Sequence, residues 1–253
     1  MSILVKNKYN IIRFKEIDST NSYCLNNIND LADKTVILSD KQTNGRGRLD
    51  RKWISDSQEN IYSTIVLKPD GVIQNLPLAN LTQFLSVKLC ELLENYNINA
   101  NIKWPNDILV DEKKLAGILC EASFTENRFN GVVLGFGINL NFDPSANENI
   151  DKPVTSIYSE TDCVIDKTDF INRLLDLFFF DYELFLEQNF KFIKNKYIKF
   201  FPYIDEKASI NDSGSVITGK IKNISDDGAL IMQTGSGEEK IIILGDLTCS
   251  FKV

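Results

Sequence analysis

The 253-residue sequence contains no histidine. That absence excludes Ser-His-Asp and Cys-His nucleophilic chemistry, removes imidazole as a general base and takes away the commonest zinc ligand. Any catalysis must come from lysine, arginine, carboxylates, backbone dipoles or a hard metal ion. Cysteine is sparse. Cys24, Cys90, Cys120, Cys163 and Cys249 form no CxxC pair and leave one thiol unmatched, the pattern of a reduced, cytoplasmic chain. No apolar run reaches the roughly 20 residues that a bilayer helix needs. The greasiest stretch, Leu174 to Leu186, is interrupted by Asp176, Asp181 and Glu183, and the N-terminal MSILVKNKYNIIRF has no signal-peptide core. Positive charge is not in excess either: 28 Lys and Arg face 35 Asp and Glu, for a net charge of -7. No overall field draws the chain to nucleic acid, and neither nucleic acid nor a membrane is an expected partner.

What is present reads as an α+β chain without repeats. Ser19-Thr20-Asn21 looks like the capped start of a short helix running towards Asn27. Thr35 to Ser39 and Ile61 to Leu67 read as strands, separated by the polar loop Gln42 to Ser57. Leu81, Leu85, Leu89, Leu92 and Tyr96 recur at helical spacing between Pro77 and Tyr96. Ile108 to Val110 and Leu115 to Glu121 flank the turn Asp111-Glu112-Lys113 as a hairpin, and Gly131 to Leu140 forms a further strand. A long amphipathic helix starts near Asp166, with Phe170, Leu174, Phe178, Tyr182 and Phe185 on one face. After Pro202 the character changes to short β-rich runs punctuated by Asn211-Asp212-Ser213-Gly214, Asp226-Asp227-Gly228 and Gly235-Ser236-Gly237. This spacing predicts a small antiparallel barrel of about 45 to 50 residues, with a domain boundary between Phe200 and Lys207.

Three segments carry chemistry. In Gln42-Thr43-Asn44-Gly45-Arg46-Gly47-Arg48-Leu49-Asp50-Arg51-Lys52-Trp53, four basic side chains fall within eight residues, interleaved with glycines that let backbone N–H groups approach an anion. The arginine fork matches phosphate and carboxylate oxygens. Taken alone, the loop reads equally as a solvated turn or a nucleic-acid contact; it has neither P-loop nor Rossmann spacing. The second segment, Lys103-Trp104-Pro105-Asn106-Asp107 followed by Lys114-Leu115-Ala116-Gly117-Ile118, sets Asn106 and Asp107 on a rigid turn and Lys114 at the root of a strand. An ordinary hairpin with exposed lysines would look the same. In the third, Leu134 to Asn141, Gly135 and Gly137 alternate on one strand face and leave a flat strip for a ring or a helix.

Together, Asp18-Ser19-Thr20-Asn21, the Gly45 to Trp53 loop, the Lys103 to Asp107 turn, Lys114 to Ile118 and Gly137-Ile138-Asn139 resemble biotin protein ligases in order and spacing. The resemblance covers Glu16 to about Asn141, and the C-terminal region is similar to that family's SH3-like domain. It implies a mixed sheet with helices of the class II aminoacyl-tRNA-synthetase-like kind in residues 1–203 and the SH3-like barrel in 204–253. The implied activity uses ATP and Mg2+ to convert biotin to biotinyl-5′-AMP, then transfers biotin to a lysine on the biotin carboxyl carrier domain of a carboxylase. A homodimer is compatible with it. Lipoate ligase or a non-enzymatic biotin-binding regulator are the alternatives.

The resemblance also assigns residues. Ser19, Thr20, Asn21 and Gln42 line the biotin pocket, and Gly45, Arg46, Gly47 and Arg48 form the loop over biotin and its adenylate. Arg46, Arg48 and Lys114 face the carboxylate and phosphate, with Gly117 beneath. Trp53 and Arg51 stand beside the nucleotide, as do Asn106 and Asn139. Asp107 is the candidate magnesium ligand or proton acceptor. One departure is Asp50, where many relatives have glycine. Only 17 residues precede Asp18, so a helix-turn-helix repressor function is not expected.

Overall fold

The computed structural model describes residues 9–49, 51–69, 77–126, 128–144, 153–212 and 215–249. Its centre is a seven-stranded mixed sheet built from β1 (Asn10–Phe14), β2 (Thr35–Ser39), β3 (Ile61–Leu67), β4 (Asn101–Lys103), β5 (Asp107–Val110), β6 (Lys113–Thr125) and β7 (Arg128–Ile138), in the order β1-β2-β3-β7-β6-β5-β4. Only β1 and β2 run parallel. They are joined through α1 (Thr20–Asn26), as a parallel pair needs a crossover. β2 and β3 are buried along their whole length and rich in β-branched residues, which is why both were legible from sequence.

Period-2 alternation sends neighbouring side chains to opposite faces. Val36 and Leu38 join the large cluster under α2 (Leu78–Glu94), α4 (Lys167–Gln188) and α5 (Phe190–Lys199), to which the short α3 (Ile157–Thr161) adds Ile157. Here the Phe84 ring stacks on Phe185 at 4.3 Å and tilts against Phe178 at 5.0 Å. Ile37, Val66 and Val133 face the other way and pack with Cys24 and Ile28 of the α1 region. That helix has seven residues and covers only part of its face. Beyond it, the residues that follow Val133 on the same side are Gly135 and Gly137, which leave the sheet surface open.

The C-terminal region is a five-stranded antiparallel sheet of β8 (Lys207–Asp212), β9 (Ser215–Ile224), β10 (Leu230–Thr234), β11 (Glu239–Ile242) and β12 (Asp246–Cys249), ordered β11-β10-β9-β8-β12. A five-stranded antiparallel sheet stands where a barrel is expected from sequence; among the described residues no ladder closes β11 onto β12. Its core residues Ile210, Ile221, Leu230 and Met232 belong to the same buried cluster as α2 and α5. The contact is keyed by the β9–β10 turn. Gly228 has φ +84°, and its carbonyl accepts from Gln83 Nε2 at 2.8 Å and Trp104 Nε1 at 3.2 Å. No helix among the described residues is long and apolar enough to cross a membrane.

A side chain at position 228 would put its Cβ 2.5 Å from Gln83 Oε1 and 2.9 Å from Asn80 Oδ1 in a left-handed backbone. Gly228→Ala is therefore expected to cost about 1–3 kcal/mol, read as a lower urea midpoint. An unchanged midpoint would contradict the close seating of this turn.

Candidate active site

One cavity of about 780 Å³ gathers the sequence motifs on the open face of the sheet. Its first wall is the N-terminus of α1. Ser19 caps the helix by accepting from the Ser22 N–H. The Thr20 N–H donates to Gln42 Oε1 at 2.8 Å, and Gln42 Nε2 donates to Ser55 Oγ at 2.9 Å. Asn21 is anchored on both sides: its Nδ2 donates to Glu121 Oε2 at 2.9 Å and to the Leu119 carbonyl at 3.2 Å. Its Oδ1 lies 2.6 Å from Thr64 Oγ1. Ser19, Thr20, Asn21, Ser55 and Thr64 are buried, and with half-buried Gln42 they form an uncharged hydrogen-bonding surface.

The arginine loop folds back on itself. The Arg46 and Lys52 backbones pair as an isolated antiparallel bridge, the Gly47 N–H donates to the Arg51 carbonyl at 2.7 Å, and the Trp53 N–H to the Gly45 carbonyl at 2.9 Å. Gly45 is buried against Ser55 Oγ and the Trp53 carbonyl, each of which would stand 2.5 Å from a Cβ there. It shapes the loop without lining the cavity. Asp50 lies outside the described residues.

Four cations of the site have defined partners. Arg46 Nη2 donates to both oxygens of Glu121, at 2.8 and 3.0 Å. Arg48 reaches the opposite end, donating to Asn106 Oδ1 at 3.0 Å and to the Gly245 carbonyl at 3.2 Å, with Asp246 Oδ1 at 3.5 Å. Arg51 also pairs with Asp246. Lys114 Nζ sits 2.8 Å from Asp107 Oδ1 and 5.1 Å from the centre of the Trp53 ring. Asn106 Nδ2 returns to the sheet at the Ile118 carbonyl, 3.0 Å away.

The glycine strip has a clear role. Gly117 and Gly137 are direct partners in the β6–β7 ladder, and the Trp53 indole lies over both. Trp53 Nε1 and Arg46 Nε are buried without a hydrogen-bond partner among the described residues. Asn139 is committed to the scaffold: its Nδ2 donates to the Thr155 carbonyl at 2.9 Å and lies 3.3 Å from the Lys114 carbonyl.

Of the residues singled out from sequence, Ser19, Thr20, Asn21, Gln42, Arg46, Gly47, Arg48, Arg51, Trp53, Asn106, Asp107, Lys114, Gly117 and Asn139 line this cavity. Glu121, Thr64, Ser55 and Asp246 were not anticipated. Glu121 follows Gly117 and Leu119 at period 2 on one face of β6, a pattern the sequence does contain. Asp246 comes from the other sheet and has no local motif.

The model of the biotin/lipoate A/B protein ligase family matches residues 13–139, and the chain belongs to that family. A second model, the biotin protein ligase C terminal domain, matches residues 209–247. The biotin–[acetyl-CoA-carboxylase] ligase of Paracoccus denitrificans is 30% identical over 229 residues, covering 88% of this chain and 94% of the relative. The bifunctional ligase/repressor BirA of Bacillus subtilis is 32% identical over 215 residues; the match covers 84% of this chain and 66% of that longer relative. Among solved structures, the biotin protein ligase of Aquifex aeolicus in complex with biotin and ATP matches with a TM-score of 0.83 and 30% identity, over 96% of this chain and 99% of that one.

At position 137 a Cβ would meet Trp53 Cε2 at 2.4 Å. Gly137→Ala should displace the indole, change the near-UV circular dichroism and cost about 1–3 kcal/mol. Wild-type spectra and stability in this variant would contradict the stacked placement of Trp53.

Proposed function

We propose that the protein is a biotin protein ligase, which activates biotin with ATP and passes it to a lysine of a partner protein. The observation that carries this reading is the joining of two unlike chemistries in one cavity: a neutral surface of buried Ser19, Thr20 and Asn21 with half-buried Gln42, and a cationic end at Arg48 and Lys114. Biotin has the same division. Its ureido ring offers N–H donors and a carbonyl acceptor, which hydroxyl and amide groups satisfy, and its valerate ends in a carboxylate.

In the first step a carboxylate oxygen of biotin attacks the α-phosphorus of ATP, and pyrophosphate leaves. Negative charge grows on the phosphoryl oxygens, where Arg48 and Lys114 stabilise it more than in the ground state. Arg46 helps hold the vitamin, while Arg51, Asn106 and Asn139 border the nucleotide. Trp53, flat on its glycine floor, is the wall against which the adenylate rests, and the loop from Gly45 to Arg48 excludes water from the mixed anhydride. In the second step the target amine attacks the acyl carbon, AMP leaves, and Asp107 accepts the amine proton. Magnesium enters this account with ATP. The ion would be held largely by the phosphates and water, with Asp107 the carboxylate that would reach it in the first step, before that group serves as proton acceptor in the second; among the described residues no cluster of three acidic or thiol ligands forms a cage.

The acceptor we infer is a biotin carboxyl carrier domain. Five unpaired thiols suit a reducing compartment, and we place the protein in the cytoplasm. We set the boundary of the catalytic region at residue 203, with 204–253 as the C-terminal unit. The strands β1 and β4 end the large sheet, and a homodimer formed through such an edge belongs to the proposal. A monomer mass in sedimentation equilibrium at working concentration would remove that part.

The test is exchange of labelled pyrophosphate into ATP. It should require biotin and not respond to lipoate; a regulator without ligase chemistry would give no exchange with either acid. Arg48→Ala and Lys114→Ala should each lower the exchange rate by about 100-fold or more with the fold retained. Rates close to wild type in both variants would contradict their placement at the reacting phosphate.

A further inference from the structure

Glu121 stands two positions beyond Leu119 on β6, opposite Val133 in the ladder with β7, so its side chain shares the face of Gly117 and Gly135. It does not line the cavity itself. Its carboxylate sits behind two residues that do, taking Arg46 Nη2 on both oxygens and Asn21 Nδ2 at 2.9 Å. From Asn21 the contacts continue through the buried Thr64 hydroxyl, 2.6 Å from Asn21 Oδ1 and 2.8 Å from Thr20 Oγ1, to Gln42 Oε1, which accepts from the Thr20 N–H. A single carboxylate thus terminates a polar chain that runs under the whole neutral wall.

We propose that Glu121 is a positioning residue that sets the direction in which biotin enters, an inference that rests on the ligase reading of the site. It fixes Arg46 and Asn21 and cancels the Arg46 charge, so this end of the cavity receives the uncharged ring and the acid points towards Arg48 and Lys114. A free guanidinium is a strong partner for a carboxylate. Arg46 is the cation that shares Glu121 with Asn21 of this wall, so without Glu121 it would compete for the vitamin's acid and hold the molecule the wrong way round. The far end is not neutralised to the same degree. Arg48 and Arg51 share Asp246, and the two closest partners of Arg48 are a neutral amide and a backbone carbonyl. Positive charge is left over where the acid has to react. The carboxylate of Glu121 therefore acts through Arg46 and never touches the reacting atoms.

The experiment measures the affinities of biotin and biotin methyl ester for the full-length protein by calorimetry, in wild type, Glu121→Gln and Glu121→Asp. Glutamine is isosteric and keeps an acceptor for Asn21, and the position is partly exposed, so the fold is retained; a thermal melt checks this. Freed Arg46 should bind the acid, raising the preference for biotin over its ester by about fivefold or more. Glu121→Asp keeps the negative charge and should keep the wild-type preference. A merely structural role would weaken both ligands alike. An unchanged preference in Glu121→Gln, or the same rise in Glu121→Asp, overturns the proposal. Wild-type protein that binds neither ligand would overturn the ligase reading itself, and this inference with it.

Discussion

The site depends on distributing positive charge that cannot be shed. Arginine stays protonated at any physiological pH, and the loop from Gly45 to Lys52 carries three arginines and a lysine within eight residues. Left side by side they would repel one another and hold the loop open. The fold separates them. Arg46 is tied to Glu121 on the central sheet, Arg48 to the Asn106 turn and the C-terminal sheet, and Arg51 to Asp246. The partners come from the central sheet, the Asn106 turn and the C-terminal sheet, with Asp246 shared by Arg48 and Arg51, so the loop's shape is fixed only when all three are in place.

That dependence makes the C-terminal sheet part of the site. Its β9–β10 turn is seated against α2 and Trp104 through the Gly228 carbonyl, while the turn before β12 delivers Gly245 and Asp246 to the arginines. Trp104 belongs to the same short turn as Asn106, which holds Arg48. One segment of three residues therefore reads the position of the C-terminal sheet at one end and sets a cation of the cavity at the other. The two regions also share a buried core, so the C-terminal sheet is not a detachable appendage.

Much of this was legible in the sequence because its cues are local. The strands Thr35–Ser39 and Ile61–Leu67, the helix capped by Ser19 and the long helix after Asp166 follow from composition, capping and periodicity over a few residues. What escaped is short or breaks locally. β1 is a five-residue edge strand and β4 has three residues, while α5 follows α4 with only Asn189, at φ 56°, to mark the break. In the site, the motif residues named themselves, but their counter-charges did not. Glu121 is 75 positions from Arg46 and Asp246 is 195 from Arg51, distances over which only the folded topology makes a pair. Gly45 illustrates the converse, a motif residue whose contribution is the shape of the loop and not contact with the cavity.

The most direct measurement is a crystal structure of the protein with biotin and a non-hydrolysable ATP analogue. The account predicts the ureido ring against Ser19, Thr20 and Gln42, and the acid and α-phosphate within hydrogen-bond distance of Arg48 and Lys114, with the adenylate side resting on Trp53. Biotin lying with its carboxylate on Arg46, or both ligands bound outside this cavity, would contradict it.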